Sequence, residues 1–236
     1  NSVMEKWKVV EDARLRQKKI HLGALMTLCH EKNAERDLPE ADKVYKGRIV
    51  FRGDNVRDES GYLAVFSEQG TSASHLEAAK FMGAISRSYC DMEELDVEES
   101  DAVGAYTQCK LGGEDAWITI PKEYWPKSWH GKYHQPVVRL VLNLYGHPLA
   151  GLYWEKHCQE SLFALGWRPV KGWECLYKHD QAKLFLSIYV DDFKMAGHPN
   201  DVKKAGDLIW MVTTTETFAD GTSRDVEISI LGKTEI

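Results

Sequence analysis

The pattern of apolar and polar positions divides the chain into short strands and four amphipathic stretches. Residues 4–19 are charged, with apolar positions at Trp7, Val10, Ala13 and Leu15; this spacing predicts a helix with a narrow apolar stripe. Residues 21–29 are apolar and fit either a strand or a buried helix, and the polar residues 31–42 around Pro39 read as a loop. Residues 45–55 predict a strand on which Lys46, Arg48 and Arg52 share parity and project from one face. Residues 72–89 predict a helix opened by the capping box Ser74-His75-Leu76-Glu77. A short strand over 117–121 ends at Pro121, and an aromatic-rich loop follows to Gln135. A strand from Val137 breaks at Gly146. A helix over 149–165 comes next, with Leu152, Trp154, His157, Cys158, Leu162 and Phe163 on or near its apolar side, and Gly166 and Pro169 stop it. Strands are expected over 173–179, 183–190 and 226–232, and a last amphipathic helix over 201–212.

One apolar run contains a contradiction. Leu184 to Val190 is rich in β-branched and aromatic residues, and Phe193 to Gly197 is again largely apolar. Between them stand Asp191 and Asp192. The flanks predict a β-hairpin with both aspartates at or near its turn. Adjacent carboxylates repel, and desolvation makes their ionised forms costly unless a cation neutralises them. A hard divalent ion such as Mg²⁺, which takes oxygen ligands, is the natural partner. The plainer alternative is a hairpin whose turn is Asp-Asp because Asp favours turns.

A second acidic stretch, Leu95 to Gln108, carries Asp101 and then turns small and aromatic at Ala102-Val103-Gly104-Ala105-Tyr106. Small residues let another molecule approach closely. With Asp101 beside Asp191 and Asp192, three carboxylates on neighbouring strand ends can hold two Mg²⁺ ions. Such a pair lowers the pKa of an attacking hydroxyl and neutralises leaving phosphates in an in-line displacement. Basic residues on a separate strand would clamp those phosphates. For Lys46 and Arg48 the plainer reading is a solubilising exposed face.

Composition changes this picture little. The chain has 236 residues, enough for one large domain or two small ones. No run is apolar and long enough to span a membrane, and the N-terminus lacks the apolar core of a signal peptide. The chain opens at Asn1 rather than Met, as a piece of a longer chain would. Its five cysteines form no Cys-x-x-Cys pair, so neither a zinc site nor a disulfide framework is indicated, and a reducing compartment is the simplest setting. The net charge of −6 is unevenly placed: residues 1–53 hold twelve Lys/Arg against eight Asp/Glu, a net of +4, and the remainder carries −10. A basic front and an acidic body can grip a phosphate backbone in one place and hold metal in another.

Several blocks now line up. Tyr45-Lys46-Gly47-Arg48-Ile49-Val50 looks like the motif YKARLV. Asp101 with Ala105-Tyr106 looks like DVKTAF. Trp117-Ile118-Thr119-Ile120-Pro121 sits where IYMxxP would stand. Leu144-Tyr145-Gly146 through Trp154 has the length of LYGLKQxPRxW. Ile188 to Asp192 is similar to a YVDD box, and Ile230-Leu231-Gly232 is similar to a glycine-containing primer-grip strand. In this order, and over most of the chain from Tyr45 onward, the sequence resembles the reverse transcriptase domain of copia-type long-terminal-repeat retrotransposons. Asp96-Val97 also matches the Asp-Val of DVKTAF, but five positions on lies Asp101 rather than an aromatic residue, which favours Asp101.

The resemblance implies an α+β right-hand polymerase fold, with fingers and a palm whose core is ferredoxin-like with an antiparallel sheet, and no thumb. Residues 1–94 would form an N-terminal extension and fingers. Residues 95–236 would form the palm, with a fingers segment interleaved at about 117–150 and the primer-grip strand at the end. It implies an RNA-directed DNA polymerase that joins a dNTP to a primer 3′-hydroxyl with two Mg²⁺ or Mn²⁺ ions. Asp101, Asp191 and Asp192 would be the catalytic metal ligands. Lys46 and Arg48 would touch the triphosphate, Tyr106 would gate the sugar, and Leu231 and Gly232 would support the primer end. The implied partners are an RNA or DNA template with primer, dNTPs, and the thumb, ribonuclease H and integrase regions of the parent polyprotein, with no membrane. The implied location is the cytoplasm, in a virus-like particle, or the nucleus.

The chain departs from the family pattern where Leu149 and Leu152 replace Gln and Arg and His147-Pro148 replaces Leu-Lys, as in a divergent branch. Two other readings stand beside the polymerase. One is an inactive remnant that binds nucleic acid or protein. The other is a palm-like nucleotidyl cyclase or other two-metal phosphotransferase.

Overall fold

A computed structural model describes residues 3–36, 38–67, 73–88, 96–102, 104–198, 200–202, 205, 213–217 and 223–227. In chain order the regular elements are β1 (Met4–Glu5), α1 (Lys6–Leu15), β2 (Ile20–Lys32), β3 (Val44–Phe51), α2 (Leu76–Ser88), β4 (Asp96–Asp101), β5 (Asp115–Thr119), β6 (Pro136–Arg139), α3 (Ala150–Ala164), β7 (Arg168–Pro169), β8 (Leu176–His179), β9 (Leu184–Tyr189), β10 (Asp192–Gly197), β11 (Thr213–Thr217) and β12 (Ser223–Glu227). The protein is a mixed α+β structure with largely antiparallel sheets; among the described residues only β2 and β5 pair in parallel. Among the described residues no helix is long and apolar enough to cross a membrane.

The chain divides into two compact units, one of residues 1–68 and 110–150, the other of residues 69–109 and 151–236. Helix α2 belongs to the second unit because its buried Ala78 and Met82 pack against Leu176 and Ala196 of that unit's sheet. Burial of an apolar face, rather than order along the chain, decides membership.

The first unit is built on the sheet β1-β6-β5-β2-β3. Helix α1 covers one face with part of the expected stripe: Ala13 is buried and Val10 packs half-buried against the same cluster, while Trp7 and Leu15 take no part. Val9 and Ala13 are its buried residues, packed with Ile20, Leu22 and Val137, while Trp7 and Leu15 are 59% and 79% exposed. The helix ends at Leu15, and Val9 and Ala13, four apart, lie on one face. The apolar run 21–29, open between strand and helix, is strand. It extends with β3 into an antiparallel ribbon whose register runs from Leu25 opposite Phe51 to Lys32 opposite Val44. Directly opposed residues share a face. Lys46 therefore lies beside His30, Arg48 beside Leu28, and Val44 beside Lys32, all on one side. Arg52 does not join them: it lies past the strand end and pairs with Asp54 at 2.9 Å.

The ribbon is rooted at Phe51, which is 1% exposed. Its N–H donates to the Tyr145 carbonyl at 2.7 Å. Gly146 crosses the same backbone so closely that a Cβ there would lie 2.2 Å from the Phe51 carbonyl oxygen. Its φ of +86° also favours glycine.

The second unit carries the sheet β4-β10-β9-β8-β7. Strand β10 is antiparallel to both β4 and β9, so β4 and β9 run parallel on either side of it, a split β-α-β arrangement with α3 in the connection. Strict alternation sends Leu184, Leu186, Ile188, Phe193 and Met195 to one face, where they pack with Trp154, Cys158 and Leu162 of α3 and with Val202. Helix α2 lies on the other face. Its first residue is Leu76, two after Ser74, and the Ser74 hydroxyl is 2.9 Å from the Ser187 hydroxyl, a partner that the expected capping box did not include. Residues 200–202 are helical; 203–204 and 206–212 of the helix expected over 201–212 lie outside the described residues, as do 228–232 of the expected last strand.

Candidate metal centre

Strands β9 and β10 are joined by two residues, Val190 and Asp191, with Tyr189 paired to Asp192. A two-residue hairpin needs positive φ in its turn, usually from glycine. Here the β-branched Val190 takes φ 58°, an uncommon conformation for its type. Two contacts hold it. The indole N–H of Trp154, a residue 0% exposed, donates to the Val190 carbonyl. The Ala102 N–H donates to the Asp191 carbonyl at 2.7 Å. Surroundings that over-determine a turn are what allow such a conformation to persist.

The same pairing assembles the carboxylates. Asp101 ends β4 directly opposite Asp192, the first residue of β10, and Asp191 precedes it in the turn. The ligand oxygens of Asp101, Asp191 and Asp192 all lie within 4.8 Å of one another, and none of the three residues is buried. Partial burial raises the Asp192 pKa above its ordinary value, with Asp191, Asp101 and Glu99 adding to the shift. Three hard oxygen donors crowded in this way suit Mg²⁺ or Mn²⁺.

The cluster opens on a cleft of about 720 Å³ within the second unit, lined among others by Ser74, His75, Glu99, Tyr189 and Lys194. Lys194 is bonded to Glu99 at 2.6 Å, two register positions in from the Asp192–Asp101 pair and on the same face.

The other expected site residues are placed as follows. Tyr106, in a 3₁₀ turn five residues past Asp101, is half-buried against the core of this unit and does not line the cleft. Lys46 and Arg48 are exposed on β3 of the first unit. Leu231 and Gly232 lie outside the described residues. Sequence reasoning missed two features. Trp154 stood out only as an apolar helix position, although its N–H anchors the turn. The Lys194–Glu99 pair carries no sequence signal, because cross-strand register alone brings the two together. No protein-family model matches the chain.

Proposed function

We propose that the chain is the catalytic part of an RNA-directed DNA polymerase, and that Asp101, Asp191 and Asp192 hold the two divalent cations of nucleotidyl transfer. One observation carries the reading: three carboxylates, two adjacent and one some ninety residues earlier, meet within 4.8 Å at the end of a sheet. The split β-α-β arrangement of β4, α3, β9 and β10 is compatible with a polymerase palm and supports it.

The cations, Mg²⁺ or Mn²⁺, would lower the pKa of the primer 3′-hydroxyl and neutralise charge on the leaving phosphates. The chain's own contribution is to hold three carboxylates at fixed positions on strand ends, so that little reorganisation is needed on binding. Lys46 and Arg48, exposed and on one face of a ribbon, would neutralise the triphosphate. Tyr106 would exclude a sugar carrying a 2′-hydroxyl, and Leu231 and Gly232 would support the primer end. Template-primer, dNTPs and the remaining regions of a parent polyprotein are the implied partners, in a cytoplasmic particle or the nucleus.

The test is primer extension on an RNA template with dNTPs and Mg²⁺ or Mn²⁺, beside Mn²⁺ binding measured by electron paramagnetic resonance. The expected result is metal-dependent extension, lost in Asp191→Asn together with a tenfold or greater loss of Mn²⁺ affinity. Template-primer binding without extension, also in a longer chain bearing a thumb region, would leave a nucleic-acid-binding module in place of an enzyme.

A further inference from the structure

The segment between β5 and β6 repeats one small unit three times. Pro121-Lys122-Glu123-Tyr124-Trp125 is followed by Pro126-Lys127-Ser128-Trp129-His130 and then by Gly131-Lys132-Tyr133-His134. Each unit opens with Pro or Gly, places a lysine next, and ends on aromatic rings. The structure repeats as well. Lys122–Tyr124 and Lys127–Trp129 are each one 3₁₀ turn. Gly131, with φ +75°, makes the third turn.

The rings stand in a row. Trp125 and Trp129 have centroids 6.3 Å apart, Trp129 and Tyr133 6.1 Å, and His130 lies 5.9 Å from Trp125. None of Trp125, Trp129 and Tyr133 is fully buried, and none joins the buried apolar clusters of its unit. Lys122, Lys127 and Lys132 are all exposed and make no ion pair among the described residues; Lys132 sits over the Tyr133 ring. Glu123 is the one acidic residue in the segment.

The segment is held at both ends. The Trp125 indole N–H donates to the Ile120 carbonyl at 2.8 Å. The Glu5 carboxylate accepts the backbone N–H groups of His134 and Gln135 at 2.8 and 3.0 Å.

We propose that this loop is a binding platform for single-stranded nucleic acid. Partly exposed rings offer faces on which unpaired bases stack, and lysines at regular five-residue intervals meet successive phosphates. A loop already fixed by Glu5 and Ile120 loses little freedom on binding. The interior of a duplex, whose bases already stack on one another, and acidic peptides, which lack bases, match only the lysines. The proposal stands apart from the acid cluster, which belongs to the other unit.

The experiment is fluorescence anisotropy of the full chain with labelled oligo-dT and oligo-U, titrated over a range of salt. Single-strand binding loses a slope of about 0.7 in log K against log salt for each phosphate contact removed. Replacing Lys122, Lys127 and Lys132 by Ala together is expected to lower the slope by about 2. Trp129→Leu is expected to weaken binding about tenfold with the slope unchanged. Because the three lysines are exposed, circular dichroism should stay that of the wild type. An unchanged affinity and slope in the triple variant would overturn the proposal. So would equal affinity for a blunt duplex or for polyglutamate, or a loss confined to Lys46→Ala/Arg48→Ala.

Discussion

The β9–β10 hairpin and the β2–β3 ribbon are both antiparallel strand pairs that present charge, and they do it in opposite ways. The hairpin lies inside a five-stranded sheet with a helix on each face, and its carboxylates sit on the short turn that emerges. The ribbon leaves its sheet, and beyond its root both faces meet water. Packing along its whole length fixes a charge in place, which suits groups that must share one small ion. Packing at the root alone leaves charge displayed on a strand pair that contributes little to the core, which suits contact with an extended polyanion.

Breaking the hairpin's support should have the largest effect. Trp154→Ala removes a fully buried ring and the donor to Val190, and is expected to destabilise the second unit by about 3–5 kcal/mol in urea denaturation. Trp154→Phe, which loses the N–H and keeps most of the ring, should cost roughly 1 kcal/mol and weaken Mn²⁺ binding by loosening the turn.

The ribbon's root offers the next test, through pH. His147 is packed against Phe51, and its Nδ1 accepts the Leu149 N–H at 3.2 Å, which requires a neutral ring. Burial lowers its pKa to about 4. The unfolded chain, with an ordinary histidine, takes up its proton first as pH falls. Stability of the first unit should therefore be full above about pH 6.5 and decline towards pH 4 by about 3 kcal/mol. The urea midpoint followed across that range checks this, and His147→Phe should remove this part of the slope.

Gly146→Ala sharpens the same point without titration. A Cβ placed 2.2 Å from a backbone oxygen, at positive φ, should cost more than about 1 kcal/mol and lower the melting temperature of the first unit. At the far end of the ribbon the effect on stability should nearly vanish. Lys46→Ala with Arg48→Ala is expected to change it by no more than about 0.5 kcal/mol, while weakening nucleic-acid binding and its salt dependence.

Much of this architecture is legible in the amino-acid order, because short-range physics decides it. Alternation with two interposed aspartates gave the β9–β10 hairpin, and the apolar run ending at Gly166 gave α3. Residue type and spacing also marked Asp191 and Asp192, since carboxylates amid apolar strand need a reason, and Asp101, where an acidic stretch turns abruptly small and aromatic. What spacing could not supply is register. The pairing of Asp101 with Asp192, of Glu99 with Lys194 and of His30 with Lys46 follows from which strands meet and by how many residues they are offset. That offset is a sum over many weak contacts from distant parts of the chain. For the same reason the tertiary structure alone chose Val9 over Trp7 as the buried side of α1, and turned Trp154 from a helix-face residue into the clamp on the acidic turn.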